Sequence, residues 1–420
     1  MKVEEKIAPT VQDIVEANTR IGRIITETPL MPNQHMSDTY GCEVTLKRED
    51  LQVVRSYKIR GAFNKISHLA ADELNNGVVC ASAGNHAQGV AFACCSLQIH
   101  GTIFMPTPTP RQKINQVRGY GKDYVEIVLT GDTFDDAYKE ALEFSNQKGS
   151  TFIHPFNDPY VIAGQGTVGL EILNQARSKI DYLILPVGGG GLASGIATYF
   201  KTLSPNTKLI GVEPEGAPAM KASLEQDQLV TLDQIDLFVD GAAVKTVGDL
   251  TFEICRDLLD DVITVPEGKI CTTILRCYNE DAIVLEPAGA LSIAALDVLK
   301  DKLTGKNVTC VVSGGNNDIT RTEEIKERSL LYEGLKHYFI VSFPQRAGAL
   351  REFLVEVLGP TDDITHFEYS KKNSRERGPA VIGVELKESN DLKGFFSRMK
   401  KKGFQYEYLN ENPELFHFII

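Results

Sequence analysis

Short apolar runs alternate with helical stretches along most of the chain, beginning near residue 77. Each run is rich in β-branched residues, and the stretch after it repeats apolar positions at helical spacing. The predicted strand–helix pairs are GVVCAS with NHAQGVAFACCSL, GTIFMP with PRQKINQVRG, YVEIVLTG with TFDDAYKEALEFSNQ, and DYLILPVGGGG with LASGIATYFKTL, followed by a last strand, NVTCVVSGG. Such pairs predict a mainly parallel sheet covered on both faces. Because about 320 residues exceed one typical domain, we expect two α/β lobes with a cleft between them.

Residues 331–420 follow a different order of elements. HYFIVSFP, ITHFEYSKK, PAVIGVEL and FQYEYLN are predicted strands, GALREFLVEVL and DLKGFFSRMKKKG are predicted helices, and KNSRERG is a predicted charged turn. The order β-α-β-β-α-β is typical of ferredoxin-like α+β domains. We therefore predict two domains, residues 1–325 and residues 326–420. The second has no evident nucleophile or acid–base pair, which indicates a binding or regulatory module.

The charge distribution supports this division. The chain has 44 basic and 56 acidic residues, a net charge of −12. Residues 331–420 hold 13 of each, so residues 1–330 carry the whole acidic excess. A shift of this kind marks a domain boundary. The excess of acid opposes binding to nucleic acid.

The sequence predicts a cytoplasmic protein with no membrane partner. The N-terminal stretch mixes acids with apolar residues and has no apolar export signal. The longest apolar run, AIVLEPAGALSIAALDVL, is interrupted by Glu286 and Pro287 and makes a poor membrane span. The eight cysteines form no CxxC and most have apolar neighbours, which predicts buried free thiols. The histidines show no zinc-binding spacing.

The segment PVGGGGL, residues 186–192, places four glycines between an apolar strand and a helix. Without Cβ atoms the backbone can approach a bound group, and the amides at the helix start point toward it. A tight turn needs only one or two glycines, so the segment predicts an anion site, most simply for a phosphate.

Two further motifs follow apolar strands. SAGNHAQG, residues 82–89, can cap a helix or supply hydrogen-bond donors to a carboxylate. SGGNND, residues 313–318, can be a structural turn or a ligand contact through Ser313. Their local sequence leaves both alternatives open for each motif.

A third glycine motif, GQGTVG at residues 164–169, fits the dinucleotide-binding pattern GxGxxG. No strand leads into it, and no acid lies about 20 residues further on for a ribose hydroxyl. We therefore reject a dehydrogenase and predict that these glycines allow close helix packing.

Lys58 lies in the segment RSYKIRGAFNKI, where a Gly-Ala pair follows it closely. A lone lysine is most often a solvated cation. If the glycine loop binds the phosphate of an aldehyde, a Lys58 amine of lowered pKa can form a Schiff base with it, and pyridoxal phosphate is the usual partner.

The motifs SYKIRGA, SAGNHAQG, PVGGGGL and VVSGGNND, in this order and at these separations, resemble the serine/threonine dehydratase family of fold type II pyridoxal-phosphate enzymes. The resemblance covers residues from about 10 to 320. It implies a two-lobed α/β fold similar to the tryptophan synthase β subunit. The C-terminal residues resemble the ACT-like regulatory domain of the same enzymes, with SFPQRAGAL similar to its strand-to-helix junction. Long forms have two such repeats and short forms none; this chain has one.

The resemblance implies a role for each matching position. Lys58 would bond to pyridoxal 5′-phosphate and act as the base at the substrate Cα. Asn85 would hydrogen-bond the ring hydroxyl, and Ser313 would face the pyridine nitrogen and leave it largely unprotonated, which suits elimination. The implied phosphate cradle is Gly188, Gly189, Gly190, Gly191 and Leu192, and the implied substrate residues are Ser82, Ala83, Gly84 and His86.

Two positions depart from relatives within the family. Serine racemases have a second serine where this chain has Ala83, so we expect weak racemisation. Relatives with a cation site have acidic ligands after a VEP segment. This chain keeps Glu213 but has Ala219 where a second acid is expected, so no metal is assigned.

The implied reaction is the conversion of L-threonine to 2-oxobutanoate and ammonia, the first step of isoleucine biosynthesis. The implied effector is isoleucine or valine bound to residues 331–420, and the implied assembly is a homodimer or homotetramer. The alternatives are a dehydratase or racemase for L-serine, a β-replacement enzyme of the cysteine synthase kind, and a non-catalytic amino-acid sensor. The retained Lys58 argues against the sensor.

Overall fold

The computed structural model of the protein describes residues 7–369, 376–412 and 415–416. The chain divides into two compact units, the first ending at Ile319 and the second beginning at Thr320. The first unit has twelve α-helices among its described residues and the second has three.

The helices of the first unit are α1 (Val11–Ile21), α2 (Gln34–Tyr40), α3 (Lys58–His68), α4 (Asn85–Leu97), α5 (Arg111–Gly121), α6 (Phe134–Lys148), α7 (Pro159–Gln175), α8 (Gly191–Leu203), α9 (Ala219–Gln226), α10 (Asp249–Leu258), α11 (Glu267–Asp281) and α12 (Pro287–Leu303). Its strands are β1 (Leu30–Pro32), β2 (Glu43–Arg48), β3 (Val78–Ala81), β4 (Gly101–Met105), β5 (Val125–Leu129), β6 (Thr151–Phe152), β7 (Tyr182–Pro186), β8 (Lys208–Pro214), β9 (Asp261–Val265) and β10 (Asn307–Val312).

The strands of the first unit form two sheets, one for each predicted lobe. The first sheet has the order β5-β4-β3-β6 and the second has the order β1-β2-β10-β7-β8-β9. All neighbouring strands are parallel except the edge pair β1 and β2. The predicted two-lobed, mainly parallel α/β fold is therefore confirmed. Parallel strands place their C-terminal ends at one edge, where ligands bind in such sheets.

The GQGTVG segment lies within α7, which packs against α3 and α8. A Cβ on Gly164 would stand 2.6 Å from the carbonyl oxygen of Arg60, and one on Gly166 would stand 2.9 Å from that of Gly195. These glycines let the helix backbones approach, as predicted. The dinucleotide-binding alternative has no structural support here, because α7 follows a loop rather than a strand.

Four charged side chains are buried together beside α3 and α7. The Arg60 guanidinium donates to Glu49 at 2.8 Å and to Glu171 at 2.6 Å. Lys47 Nζ lies 2.6 Å from Glu171 Oε2. Two acids and two bases balance each other, and buried charges of this kind are tolerated only when they are paired and hydrogen-bonded.

The second unit consists of α13 (Thr322–Tyr332), β11 (Lys336–Pro344), α14 (Ala349–Glu356), β12 (Asp363–Tyr369), β13 (Arg377–Glu385), α15 (Asp391–Lys401) and β14 (Gln405–Tyr408). Its antiparallel sheet has the order β12-β13-β11-β14, and an aromatic core that includes Phe339, Phe353 and Phe395 covers one face. The predicted ferredoxin-like α+β order is confirmed. Residues 370–375, which include part of the predicted KNSRERG turn, lie outside the described residues.

The eight cysteines are free thiols, and seven of them are buried, as predicted. Cys95 is half-buried. Across the described ranges, no helix is both long and apolar enough to span a membrane.

Candidate active site

Two segments that are distant in sequence pair side by side next to Lys58. The N–H of Tyr57 donates to the carbonyl of Ser313 at 3.1 Å, and the N–H of Gly315 donates to the carbonyl of Arg55 at 2.9 Å. Arg55 has a φ of 56°, a left-handed conformation that costs a non-glycine residue about 1 kcal/mol. This pairing holds the SGGNND motif against the turn that precedes Lys58.

Lys58 begins α3 and lines a narrow cavity between the two lobes of the first unit. Its Nζ donates to the carbonyl oxygen of Pro155 at 3.2 Å. Burial lowers the pKa of Lys58 to about 8, and the carboxylate of Glu286 limits the decrease. A useful fraction of the amine is therefore uncharged near neutral pH, so Lys58 can act as a nucleophile or a base.

The glycine-rich loop borders the same cavity at the start of α8. Gly190 has a φ of 92°, and α8 begins at Gly191 without a side-chain cap. In the part of the chain that the structure describes, no group accepts a hydrogen bond from the backbone N–H groups of residues 188–192. Open N–H groups at a helix start bind anions. This arrangement supports an anion-binding loop rather than a turn alone.

A second uncapped helix start belongs to α4, which begins at the SAGNHAQG motif. Gly84 precedes α4, and the space that its Cβ would occupy is open. The Oγ of Ser82 accepts from the N–H of Gly84 at 3.2 Å, and Ala83 between them is half-buried. Free N–H groups in this first turn suit a carboxylate. That a substrate carboxylate binds here stays a prediction.

The imidazole of His86 has a restricted role. Its Nε2 lies 2.9 Å from the carbonyl oxygen of Ile153, which can only accept, so Nε2 carries the proton. Its Nδ1 is buried and without a partner among the described residues. Burial and the nearby Lys58 lower the pKa of His86 to about 3, so the ring stays neutral. His86 can therefore donate to a carboxylate only through its backbone N–H.

Asn85 contacts a buried acid that the sequence motifs did not indicate. Its Nδ2 donates to Glu286 Oε1 at 2.7 Å, and both side chains line the cavity. Burial, with a contribution from Asp240, raises the pKa of Glu286 to about 7. The available signal was the carboxylate of Glu286 between apolar neighbours, since such groups are rarely buried without a function.

Ser313 lies at the end of β10, and its hydroxyl donates to the carbonyl of Ala288 at 3.2 Å. A hydroxyl has only one proton to donate. The unprotonated pyridine nitrogen of a bound cofactor would therefore compete with the carbonyl oxygen of Ala288 for it. Four of the predicted residues thus line one cavity: Lys58, Asn85, Gly188 and Ser313.

Comparison with known proteins identifies both units. Residues 21–314 match the model of a family described as pyridoxal-phosphate-dependent enzymes. Residues 327–419 match the C-terminal regulatory domain of threonine dehydratase. The biosynthetic L-threonine dehydratase IlvA of Halalkalibacterium halodurans is 60% identical over 98% of this chain and 99% of its own. The enzyme of the same name from Bacillus subtilis is 58% identical over 98% and 97%. The chain belongs to the pyridoxal-phosphate-dependent threonine dehydratase family.

Two solved structures match most of the chain. The processed form of threonine deaminase isoform 2 from Solanum lycopersicum has a TM-score of 0.73 and 42% identity, over 78% of this chain and 99% of that chain. Maize serine racemase has a TM-score of 0.72 and 33% identity over the same shares. Proteins named as a threonine deaminase and as a serine racemase therefore share this fold.

The cofactor of this family, pyridoxal phosphate, fits the residues present. It combines an aldehyde, an anionic phosphate and a polar ring. The cavity offers an amine of lowered pKa at Lys58, and Gly188 brings the loop with the open N–H groups of residues 188–192 to its edge. Burial of those N–H groups without a partner would cost free energy, which a bound phosphate removes.

Glu213, the acid that the sequence resemblance related to a cation site, caps α9. Its oxygens accept from the N–H groups of Met220 at 2.7 Å and Lys221 at 2.8 Å. Burial raises the pKa of Glu213 to about 7. Each carboxyl oxygen of Glu213 therefore already accepts a hydrogen bond from the backbone. Among the described residues, no group of three or more His, Cys, Asp or Glu side chains could hold a metal ion.

Proposed function

We propose that the protein is a biosynthetic threonine dehydratase, which converts L-threonine to 2-oxobutanoate and ammonia as the first step of isoleucine biosynthesis. The observation that carries this proposal is the Lys58 amine of lowered pKa in one cavity with Asn85, Gly188 and Ser313. The similarity over the whole chain to biosynthetic threonine dehydratases supports it. The proposal includes a cytoplasmic location and a homodimer or homotetramer.

The residue roles follow from the groups that each position offers. Lys58 would hold the cofactor covalently, and the N–H groups of residues 188–192 would hold its phosphate. Asn85 would donate to the ring hydroxyl oxygen, and Ser313 would donate to the pyridine nitrogen. The first turn of α4 binds the substrate carboxylate through backbone N–H groups, with Ser82 beside it.

The protein's contribution to the reaction is one positioned base in a narrow cavity. When bound, the cofactor withdraws electrons from the substrate Cα. Once the substrate amine has displaced Lys58 from the cofactor, the freed, uncharged amine of Lys58 would remove the Cα proton. The β-hydroxyl would leave with one proton as water, so the proton taken from Cα balances the one that the hydroxyl carries away. Hydrolysis of the released enamine takes up one water, so the net products of threonine are 2-oxobutanoate and ammonia.

A serine racemase is the second candidate, since a family member of that name shares the fold. Racemisation requires a proton donor on the face of Cα opposite the base. The residue in the implied position is Ala83, whose methyl group carries no exchangeable proton. This observation favours elimination.

We also propose that the second unit binds isoleucine or valine and that this inhibits the first unit. Its similarity to the regulatory domain of threonine dehydratase supports the proposal. The uncapped start of α14 after Gly348, which has a φ of 85°, offers N–H groups that suit an amino-acid carboxylate.

The catalytic assignment is tested with purified protein supplied with pyridoxal phosphate. We expect an absorbance band near the visible edge that is lost in Lys58→Ala. The matched control is Lys65→Ala, because Lys65 is on the same helix but pairs with Asp158 at 2.9 Å. Absence of the band in the unaltered protein would overturn the enzyme assignment. A 2-oxo acid assay with threonine and serine in parallel separates the two dehydratases.

The regulatory assignment is tested by truncation after Ile319, where the second unit begins. A cut after residue 330 would leave part of α13 without the strand it packs on. The truncated enzyme is expected to turn over threonine without inhibition by isoleucine. If isoleucine still inhibits it, the effector binds elsewhere.

A further inference from the structure

The side chain of Asn85 is held between two neighbours, Asn316 and Glu286. An amide accepts at one end and donates at the other, although the two ends have nearly the same shape. Which end faces the cavity is therefore decided by the hydrogen bonds around it.

The first constraint on the orientation of the Asn85 amide comes from the backbone carbonyl of Val54, acting through Asn316. The oxygen of Val54 can only accept, and Asn316 Nδ2 donates to it at 2.8 Å. The same nitrogen donates to Asn85 Oδ1 at 2.7 Å and lies 3.2 Å from Gln88 Oε1. Reversing the amide of Asn316 would place its oxygen against three acceptors, so Asn85 must present its oxygen to Asn316.

The second constraint comes from Glu286 on the opposite side. A carboxylate only accepts, and a protonated carboxyl still has one accepting oxygen; Glu286 Oε1 accepts from Asn85 Nδ2 at 2.7 Å. Gly314 makes this approach possible, because a Cβ at that position would overlap Oε1 of Glu286. Gly314 of the SGGNND motif therefore leaves room for the carboxyl group of Glu286, and Asn316 of the same motif orients Asn85.

We propose that Glu286 and Asn316 are positioning residues that turn one N–H of Asn85 into the cavity, so that the site selects a ring bearing an acceptor oxygen. The nitrogen of Asn85 has two N–H bonds, and Glu286 takes one. The other is available to a ligand. The inference rests on the proposed function, which brings the ring hydroxyl oxygen of the cofactor to this position.

The test compares two probes that lack an aldehyde and so cannot bond to Lys58: pyridoxine 5′-phosphate and its 3-deoxy analogue, which lacks the ring hydroxyl. Calorimetric titration of the cofactor-free full-length protein measures the dissociation constant of each. A hydrogen bond to the hydroxyl oxygen predicts a preference of roughly three- to tenfold for the hydroxylated probe. Asn85→Ala is expected to reduce the preference to about one.

The decisive variants are Glu286→Leu and Asn316→Asp. Leucine removes the acceptor, and aspartate cannot donate to Val54, so each is expected to lower the preference toward one. Glu286→Gln keeps an acceptor oxygen and should retain the preference. A role limited to general stability would weaken both probes equally and leave their ratio unchanged.

An unchanged ratio in the folded Glu286→Leu or Asn316→Asp variant would overturn the proposal. If either variant fails to fold, Asn316→Ser removes the amide without adding a charge and tests the same link. A ratio near one in the unaltered protein also overturns it while leaving the proposed function intact. Failure of the unaltered protein to bind either probe or pyridoxal phosphate would instead overturn the proposed function.

Discussion

Arg60 and Glu171 form a fully buried ion pair, with Nη1 of the guanidinium 2.6 Å from Oε1 of the carboxylate. Arg60→Met would leave Glu171 and Glu49 buried with only Lys47 to balance them. We expect a loss of about 3–5 kcal/mol in the free energy of unfolding of the first unit, measured by denaturant titration. The control is Lys208→Ala, whose pair with Asp260 is exposed, so the unfolding midpoint should hardly move. If the two substitutions lowered the free energy of unfolding equally, the prediction that the buried pair matters more than the exposed one would be wrong.

The close approach of α7 to α3 leads to a second prediction. Gly164→Ala would place a methyl group 2.6 Å from the Arg60 carbonyl oxygen, so the two helices must separate. We expect a loss of about 1–3 kcal/mol in thermal or denaturant unfolding. Gly119→Ala is the matched control, since the exposed Gly119 of α5 has open space around its Cβ position. That variant should be about 0.5–1 kcal/mol more stable than the unaltered protein.

The raised pKa of Glu286 predicts a pH-dependent stability. In the folded cofactor-free protein the pKa is about 7, against an ordinary value of 4.5. The folded state therefore holds a proton between these values that the unfolded state has released, so this group's stabilising contribution falls as pH rises from 4.5 to 7. The shift corresponds to on the order of 3 kcal/mol across that window.

Glu286→Gln cannot titrate, so its stability relative to the unaltered protein should rise over this pH range and then level off above pH 7. Denaturant unfolding at several pH values measures the difference. The groups that face Glu286 are Asp240, Lys113, Lys58 and Asn85. Glu140→Gln on the exposed side of α6 controls for net charge. A difference that does not vary with pH would contradict the raised pKa.

Ala83 leads to a prediction about reaction type. Ala83→Ser would supply a hydroxyl at the start of α4, where the resemblance to serine racemases implies a proton donor. We expect D-serine formation from L-serine to increase roughly a hundredfold, as general acid catalysis typically contributes. Chiral chromatography of the products measures it. Ala87→Ser, in the first turn of α4, is the control, and equal gains in both variants would show that the position of the hydroxyl does not matter.

The sequence predicted much of the fold because strand and helix periodicities are local. The βα repeats of the first unit and the β-α-β-β-α-β order of the second were both read from apolar spacing. The short edge strand β1 had no such signal, since it has three residues and takes its structure from pairing with β2. The pairing of β2 with β10, which joins Val44 to Val308, also could not be inferred from local pattern.

The sequence by itself predicted which residues carry chemistry: a lysine before a Gly-Ala pair, four glycines at a helix start, and two polar motifs after strands. Only the tertiary structure decided how they act. It brought Glu286 to Asn85, oriented Asn85 through Asn316, and left the imidazole of His86 without a proton to donate to a substrate. Periodicity and glycine motifs depend on neighbours in the chain, whereas pKa values and amide orientation depend on burial and on hydrogen-bond partners that folding brings together.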